Sequence, residues 1–187
     1  DPAYHAFADR RSILGIPNGF DVLSNVPFLL VGGMGISILG SQWIEGVKGR
    51  FRQPWELVGW LTLFVAVTAV AFGSSHYHLS PDNERLVWDR LPITVAFTSL
   101  FALVIGERLS MTAGRWCLVP FIVVGLWSAW MWHQSELAGA GDMRLYVFVQ
   151  GYPLLAVPAL IALRSASQLP QPILQLLGCT LLPLHPA

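Results

Sequence analysis

A serine, a histidine and an aspartate fall where two hydrophobic runs meet. Ser74 and His78 close the first run, Asp89 lies early in the second, and Ser80-Pro81-Asp82-Asn83-Glu84 turns the chain between them. An aspartate at bilayer depth costs about 2.5 to 3.5 kcal/mol by insertion scales, so a residue of this kind marks a site. On a helix, residues four apart share a face, so Ser74 and His78 point together while His76 is rotated by about 200°. The hairpin brings Asp89, about 12 Å along the next helix, back toward them. Neutral imidazole is a good zinc ligand, a carboxylate beside a zinc-bound water can take its proton, and a hydroxyl can hold an oxyanion. The trio therefore has the parts for metal-assisted hydrolysis. The competing reading is an Arg85–Asp89 ion pair four residues apart on the helix surface, with His78 merely interfacial.

The turn itself predicts a helix start, with Ser80 as N-cap, Pro81 at the first helical position and Asp82 and Glu84 in the first turn. Asn18, Asp21, Ser24 and Asn25 either cap the first span or offer oxygen ligands to a hard cation. Glu56 begins a span and Glu107 ends one, which makes both interfacial and structural. His5, His133 and His185 fall in tails or loops, where a solvated imidazole is the default.

These residues must be positioned by membrane helices. Apolar residues make up 54% of the 187-residue chain and charged residues 12%, about half the charged share of a soluble domain. Windows long and apolar enough to span a bilayer occur near 21–40, 55–79, 86–106, 116–132 and 144–163, with a shorter, proline-interrupted one near 171–184. The expected fold is all-α, a polytopic transmembrane bundle in one membrane domain covering 1–187. Tryptophans such as Trp43, Trp55, Trp88 and Trp132 sit near window ends, as interfacial anchors do. Gly33 and Ser37, with Gly32, Gly35 and Gly40, form a thin face suited to close helix packing. Lys48, Arg50, Arg52, Arg108, Arg115 and Arg164 fall on one side, and Arg10, Arg11, Arg85, Arg90 and Arg144 on the other. This slight bias places the N-terminal tail and the Ser80 turn together, away from the cytoplasm.

Net charge is zero with no basic stripe, which argues against nucleic-acid binding. Cys117 and Cys179 lie in apolar runs and imply no disulfide framework. No signal peptide is visible after Asp1-Pro2-Ala3, and the absent initiator Met suggests residues lost before Asp1.

Three motifs in order, Ser24-Asn25-Val26-Pro27-Phe28, Gly73-Ser74-Ser75-His76-Tyr77-His78 and Asp89-Arg90-Leu91-Pro92-Ile93, resemble the alkaline ceramidase family, within a wider group of membrane hydrolases that includes the adiponectin-receptor-like proteins. The family spacing, Ser-x3-His followed by an Asp eleven residues on, holds here. Tyr4 to Arg10 and Gly15-Ile16-Pro17-Asn18 are similar to its bacterial-type branch. The resemblance runs from about Tyr4 to Pro158. It implies a seven-helix zinc amidohydrolase that cleaves ceramide to sphingoid base and fatty acid. His78 would bind Zn2+, Asp89 would orient and deprotonate the zinc-bound water, Ser74 would steady the oxyanion, and Tyr77 would pack. The family completes its zinc site with a His-x3-His pair on the last helix, and none occurs before His185-Pro186-Ala187. The expectation is a chain truncated at both ends, holding a partial zinc site that hydrolyses no ceramide alone, with His5 the nearest further imidazole. The animal family's acidic cluster is not matched, so the resemblance gives no support to a Ca2+ site.

Two other functions compete with an amidase acting on ceramide or a related N-acyl lipid. One is a non-catalytic, receptor-like lipid-binding protein. The other is a transporter relaying protons through His78 and Asp89, which the lack of repeated halves disfavours. The sequence leaves acyl preference, organelle and oligomeric state open.

Overall fold

The computed structural model describes residues 2–6, 9–45 and 51–163. Lys48, Arg50, Arg164, Cys179, His185 and the 171–184 window lie outside them. The described residues form a bundle of α1 (Gly19–Leu23), α2 (Val26–Glu45), α3 (Pro54–Leu79), α4 (Asn83–Arg108), α5 (Met111–Leu137) and α6 (Arg144–Leu163), preceded by a 3-10 turn at Pro2–His5. Gly19–Trp43, Pro54–Leu79, Asn83–Arg108, Met111–Leu137 and Arg144–Ile161 are each long and apolar enough to cross a membrane. Large apolar side chains such as Leu30, Phe72, Trp116 and Leu155 point outward at 60% exposure or more, which suits lipid rather than water. The chain is an integral, multi-pass membrane protein.

Helix α4 is the axis, packing against α3, α5 and α6, while α2 leans on α3. With lipid outside, close van der Waals contact and internal hydrogen bonds must hold the helices together. Buried Thr98 and Ser128 hydroxyls donate to the Thr94 and Gly125 carbonyls at 2.6 Å, so they add no unsatisfied group. Close approach of α2 comes from Gly32 and Gly35, where a Cβ would collide with Thr68 and Phe64. The expected face was partly displaced: a Cβ at Gly33 or Gly40 would meet nothing, and the Ser37 hydroxyl is exposed, bonded back to the Gly33 carbonyl at 2.8 Å. Small-residue spacing is periodic on both sides of such a glycine-rich helix, so period alone did not choose between them.

Helix α4 starts two residues later than the sequence implied. Asp82, not Ser80, is its N-cap, accepting from the Arg85 backbone N–H at 2.7 Å, while Ser80 closes α3 with its N–H on the Tyr77 carbonyl. Both residues are good caps, and Asp adds a favourable charge at the helix start. At the other membrane face the Glu56 carboxylate accepts from the Gln53 backbone N–H at 2.8 Å, and Glu107 lies 3.3 Å from Arg108. At this face the Glu56 side chain is buried and that of Glu107 nearly so.

Candidate functional site

Two crossings, through α2 and α3, return the chain to the face on which it began. There the N-terminal segment folds over the α3–α4 corner. Ile13 and Ile16 exchange backbone hydrogen bonds of 3.0 and 2.9 Å around Leu14 and Gly15, both at positive φ, which makes a tight hairpin. Asp9 anchors it, accepting from the Arg11 side chain and from the Phe20 N–H at the start of α1, each at 2.9 Å. The Arg11 hydrogen bond holds the Asp9 carboxyl below its usual range. Asn18 then donates to the His78 carbonyl at 2.8 Å, satisfying a C-terminal carbonyl of α3.

The three residues singled out for chemistry come together. Ser74 is buried within hydrogen-bonding range of the Asp89 carboxylate, and His78 is close enough to act on it electrostatically. Asp89 Oδ1 is buried with no hydrogen-bond partner among the described residues. His76 is exposed, as its helical phase required. Two local features make the convergence possible. A Cβ at Gly73 would fall on the Trp88 carbonyl, so only glycine lets α3 approach α4 here. Pro92, four residues past Trp88, has no N–H for that carbonyl, which leaves it free at the helix contact.

Asp21 is the residue that helical phase could not place. It neither caps α2 nor faces water alone: its Oδ2 lies 3.9 Å from His78 Nδ1. At that distance, longer than a hydrogen bond, the Asp21 carboxylate acts on the imidazole as a nearby charge and does not fix its tautomer. Asn25 stays local, its side chain donating to the Asp21 carbonyl at 3.0 Å and its own carbonyl taking the Phe28 N–H at 3.1 Å.

Four readings are corrected. Arg85 does not pair with Asp89; it reaches Asp82 at 2.6 Å and the Ser80 carbonyl at 2.7 Å, because the helix starts beside it. His5 is not a solvated tail residue. Its Nδ1 lies 2.9 Å from the Tyr77 hydroxyl and its Nε2 3.0 Å from Asn83 Oδ1, so both nitrogens are engaged and neither is available to a metal. Tyr77 thereby does more than pack. Asn83 Nδ2 in turn donates to Glu136 at 3.1 Å, which fixes Asn83 Oδ1 as acceptor, His5 Nε2 as donor and the Tyr77 hydroxyl as donor to Nδ1. His133 belongs to α5 rather than to a loop, its ring against Trp130 and Trp132.

Among the described residues no group of three or more His, Cys, Asp or Glu side chains converges as a metal site. One imidazole and one orphaned carboxylate oxygen fit part of a zinc shell, short of the three protein ligands a catalytic zinc takes. In comparisons with protein families, curated proteins and solved structures, the chain matches none.

Proposed function

We propose that this protein is a zinc-dependent intramembrane amidohydrolase that cleaves the amide bond of ceramide or a related N-acyl lipid. The observation that carries the reading is Asp89: a carboxylate set into the bundle beside Ser74 and His78, with one buried oxygen unsatisfied. Such an oxygen is costly unless something bound to the site supplies its partner. In this reading His78 holds the metal, Asp21 places a negative charge beside the His78 ring, Asp89 accepts the proton of the attacking water and Ser74 donates to the oxyanion. Bound zinc supplies acidity to that water. An N-acyl lipid lying in the bilayer meets the corner between α3 and α4 without crossing water.

The absence of a three-ligand group among the described residues favours a second reading, lipid binding without turnover. Metal analysis and a fluorescent-ceramide assay on the intact protein in bilayers separate the two. One zinc per chain, with turnover lost in Asp89→Asn but zinc retained, supports the amidase. Ceramide binding by metal-free protein with no hydrolysis overturns it.

A further inference from the structure

On the far side of α4 from Ser74, a cavity of about 440 Å³ opens at the same membrane face, with Tyr4, Asn83, Arg90, Trp132, Glu136 and Met143 among its walls. Arg90 is 3% exposed, and its guanidinium is stacked 3.7 Å from the Trp132 ring centre and 4.7 Å from that of Tyr146. Stacking fixes the plane and leaves the hydrogen-bonding edge to be satisfied. That satisfaction is poor. Nη1 has no partner among the described residues, and Nη2 has only the Tyr4 hydroxyl at 3.4 Å and the Met143 sulfur at 3.9 Å. Among the described residues no carboxylate forms an ion pair with Arg90.

Glu136 stands at the N–H edge of the same indole, accepting from Trp132 Nε1 at 3.2 Å and from Asn83 at 3.1 Å. Each carboxylate oxygen accepts one bond and keeps a lone pair for another donor. Arg90 and Glu136 are thus opposite charges on one cavity, held apart by Trp132 and not paired. A lone anion would meet Glu136 and a lone cation would meet Arg90, whereas a ligand carrying both charges satisfies both.

We propose that this cavity binds a phosphate ester bearing a primary ammonium, the chemistry of a phosphoethanolamine headgroup. The phosphate takes the Arg90 edge, replacing the long contact to Tyr4, whose side chain is 55% exposed and can swing aside. The ammonium donates to Glu136. Position favours a phosphate over a carboxylate, because the cavity lies at the polar end of the bundle where lipid phosphates sit. A quaternary ammonium has no N–H for Glu136, so choline headgroups are excluded from this arrangement.

The test is native mass spectrometry of the intact protein released from nanodiscs of phosphatidylcholine containing small, equal amounts of phosphatidylethanolamine and phosphatidylglycerol. Wild type should retain one phosphatidylethanolamine per chain. Glu136→Gln should lose the preference for it over phosphatidylglycerol by about tenfold, as expected for one charge-assisted hydrogen bond, while Arg90→Gln should retain neither. If Arg90→Gln does not fold, the Glu136→Gln preference decides alone. Displacement by free phosphoethanolamine would assign the site to the soluble headgroup, and failure to displace a retained lipid would assign it to the membrane form. No retained phosphatidylethanolamine and no binding of free phosphoethanolamine, or an unchanged preference in Glu136→Gln, overturns the proposal and leaves Arg90 as an aromatic clamp between α4, α5 and α6.

Discussion

Helix α4 carries an acid followed directly by an arginine twice, Asp89-Arg90 near its start and Glu107-Arg108 at its end, and the two pairs behave oppositely. Glu107 and Arg108 form an ion pair at 3.3 Å with both side chains nearly inaccessible. Asp89 and Arg90 form none. Adjacent residues diverge by about 100° around a helix, so only a longer acid at a fraying end bends back onto its neighbour. The shorter Asp89, inside the helix, is committed to α3 and Ser74, and Arg90 to the aromatic rings of α5 and α6. A buried pair in contact offsets its own charge, even though Glu107 Oε1 makes no hydrogen bond, whereas a pair split across two faces leaves each charge to a cavity or a reactive neighbour beside it.

The largest effect should come from the split pair. In the proposed amidase, Asp89→Asn should lower amide hydrolysis by about 10²- to 10⁴-fold with zinc content unchanged, as loss of a general base does. Equal loss of zinc would make Asp89 a ligand, and full activity would erase the contrast. The paired end should answer in stability instead. Arg108→Ala removes the nearer of the two cations acting on Glu107 and should destabilise the protein in detergent unfolding by up to about 3 kcal/mol. A variant as stable as wild type would show that the pair is solvated and the comparison void.

Gly73→Ala sharpens the geometry that splits Asp89 from Arg90. Its methyl group falls on the Trp88 carbonyl, so stability should drop by about 1 to 3 kcal/mol and the Ser74–Asp89 contact should open, lowering turnover as well. Unaltered melting and turnover would mean that α3 and α4 have room to spare.

The smallest effect lies at an acid–arginine pair in water. Asp142 in the α5–α6 connector meets Arg144 at 2.6 Å, and this hydrogen bond holds its carboxyl at about 2, below the ordinary 3.8. A depressed folded-state pKa contributes stability above 3.8 that fades as pH falls through about 2. The melting-temperature difference between wild type and Asp142→Asn should therefore be small near neutral pH, shrink as pH falls from about 4 and vanish only below about pH 2. A difference that persists in acid would point to a contact independent of charge.

Hydropathy located all five described crossings, because the bilayer imposes a length that few other structures need. The Ser74, His78 and Asp89 convergence was legible too, since helical phase and a short turn leave little freedom. What escaped was whatever depends on contacts distant in sequence. Asp21 reaches His78 across 57 residues and His5 reaches Tyr77 across 72, and no periodicity encodes either contact. The cap at Asp82 escaped for the opposite reason: Ser80 and Asp82 both satisfy the local rule, and only the finished hairpin chooses. Arg90 read as one more interfacial cation, because the rings that enclose it come from two later helices.

The strap formed by His5 and Asn18 has a consequence for assembly. Its partners are Tyr77, Asn83 and the His78 carbonyl, all synthesised well after it. During insertion the first residues must wait, undocked, until α3 has crossed and α4 has begun. In that interval Asp21 has no imidazole beside it, so the early helices are in place before the corner is complete. A protease added to the N-terminal side should cut stalled chains ending before residue 79 and spare those that extend past α4.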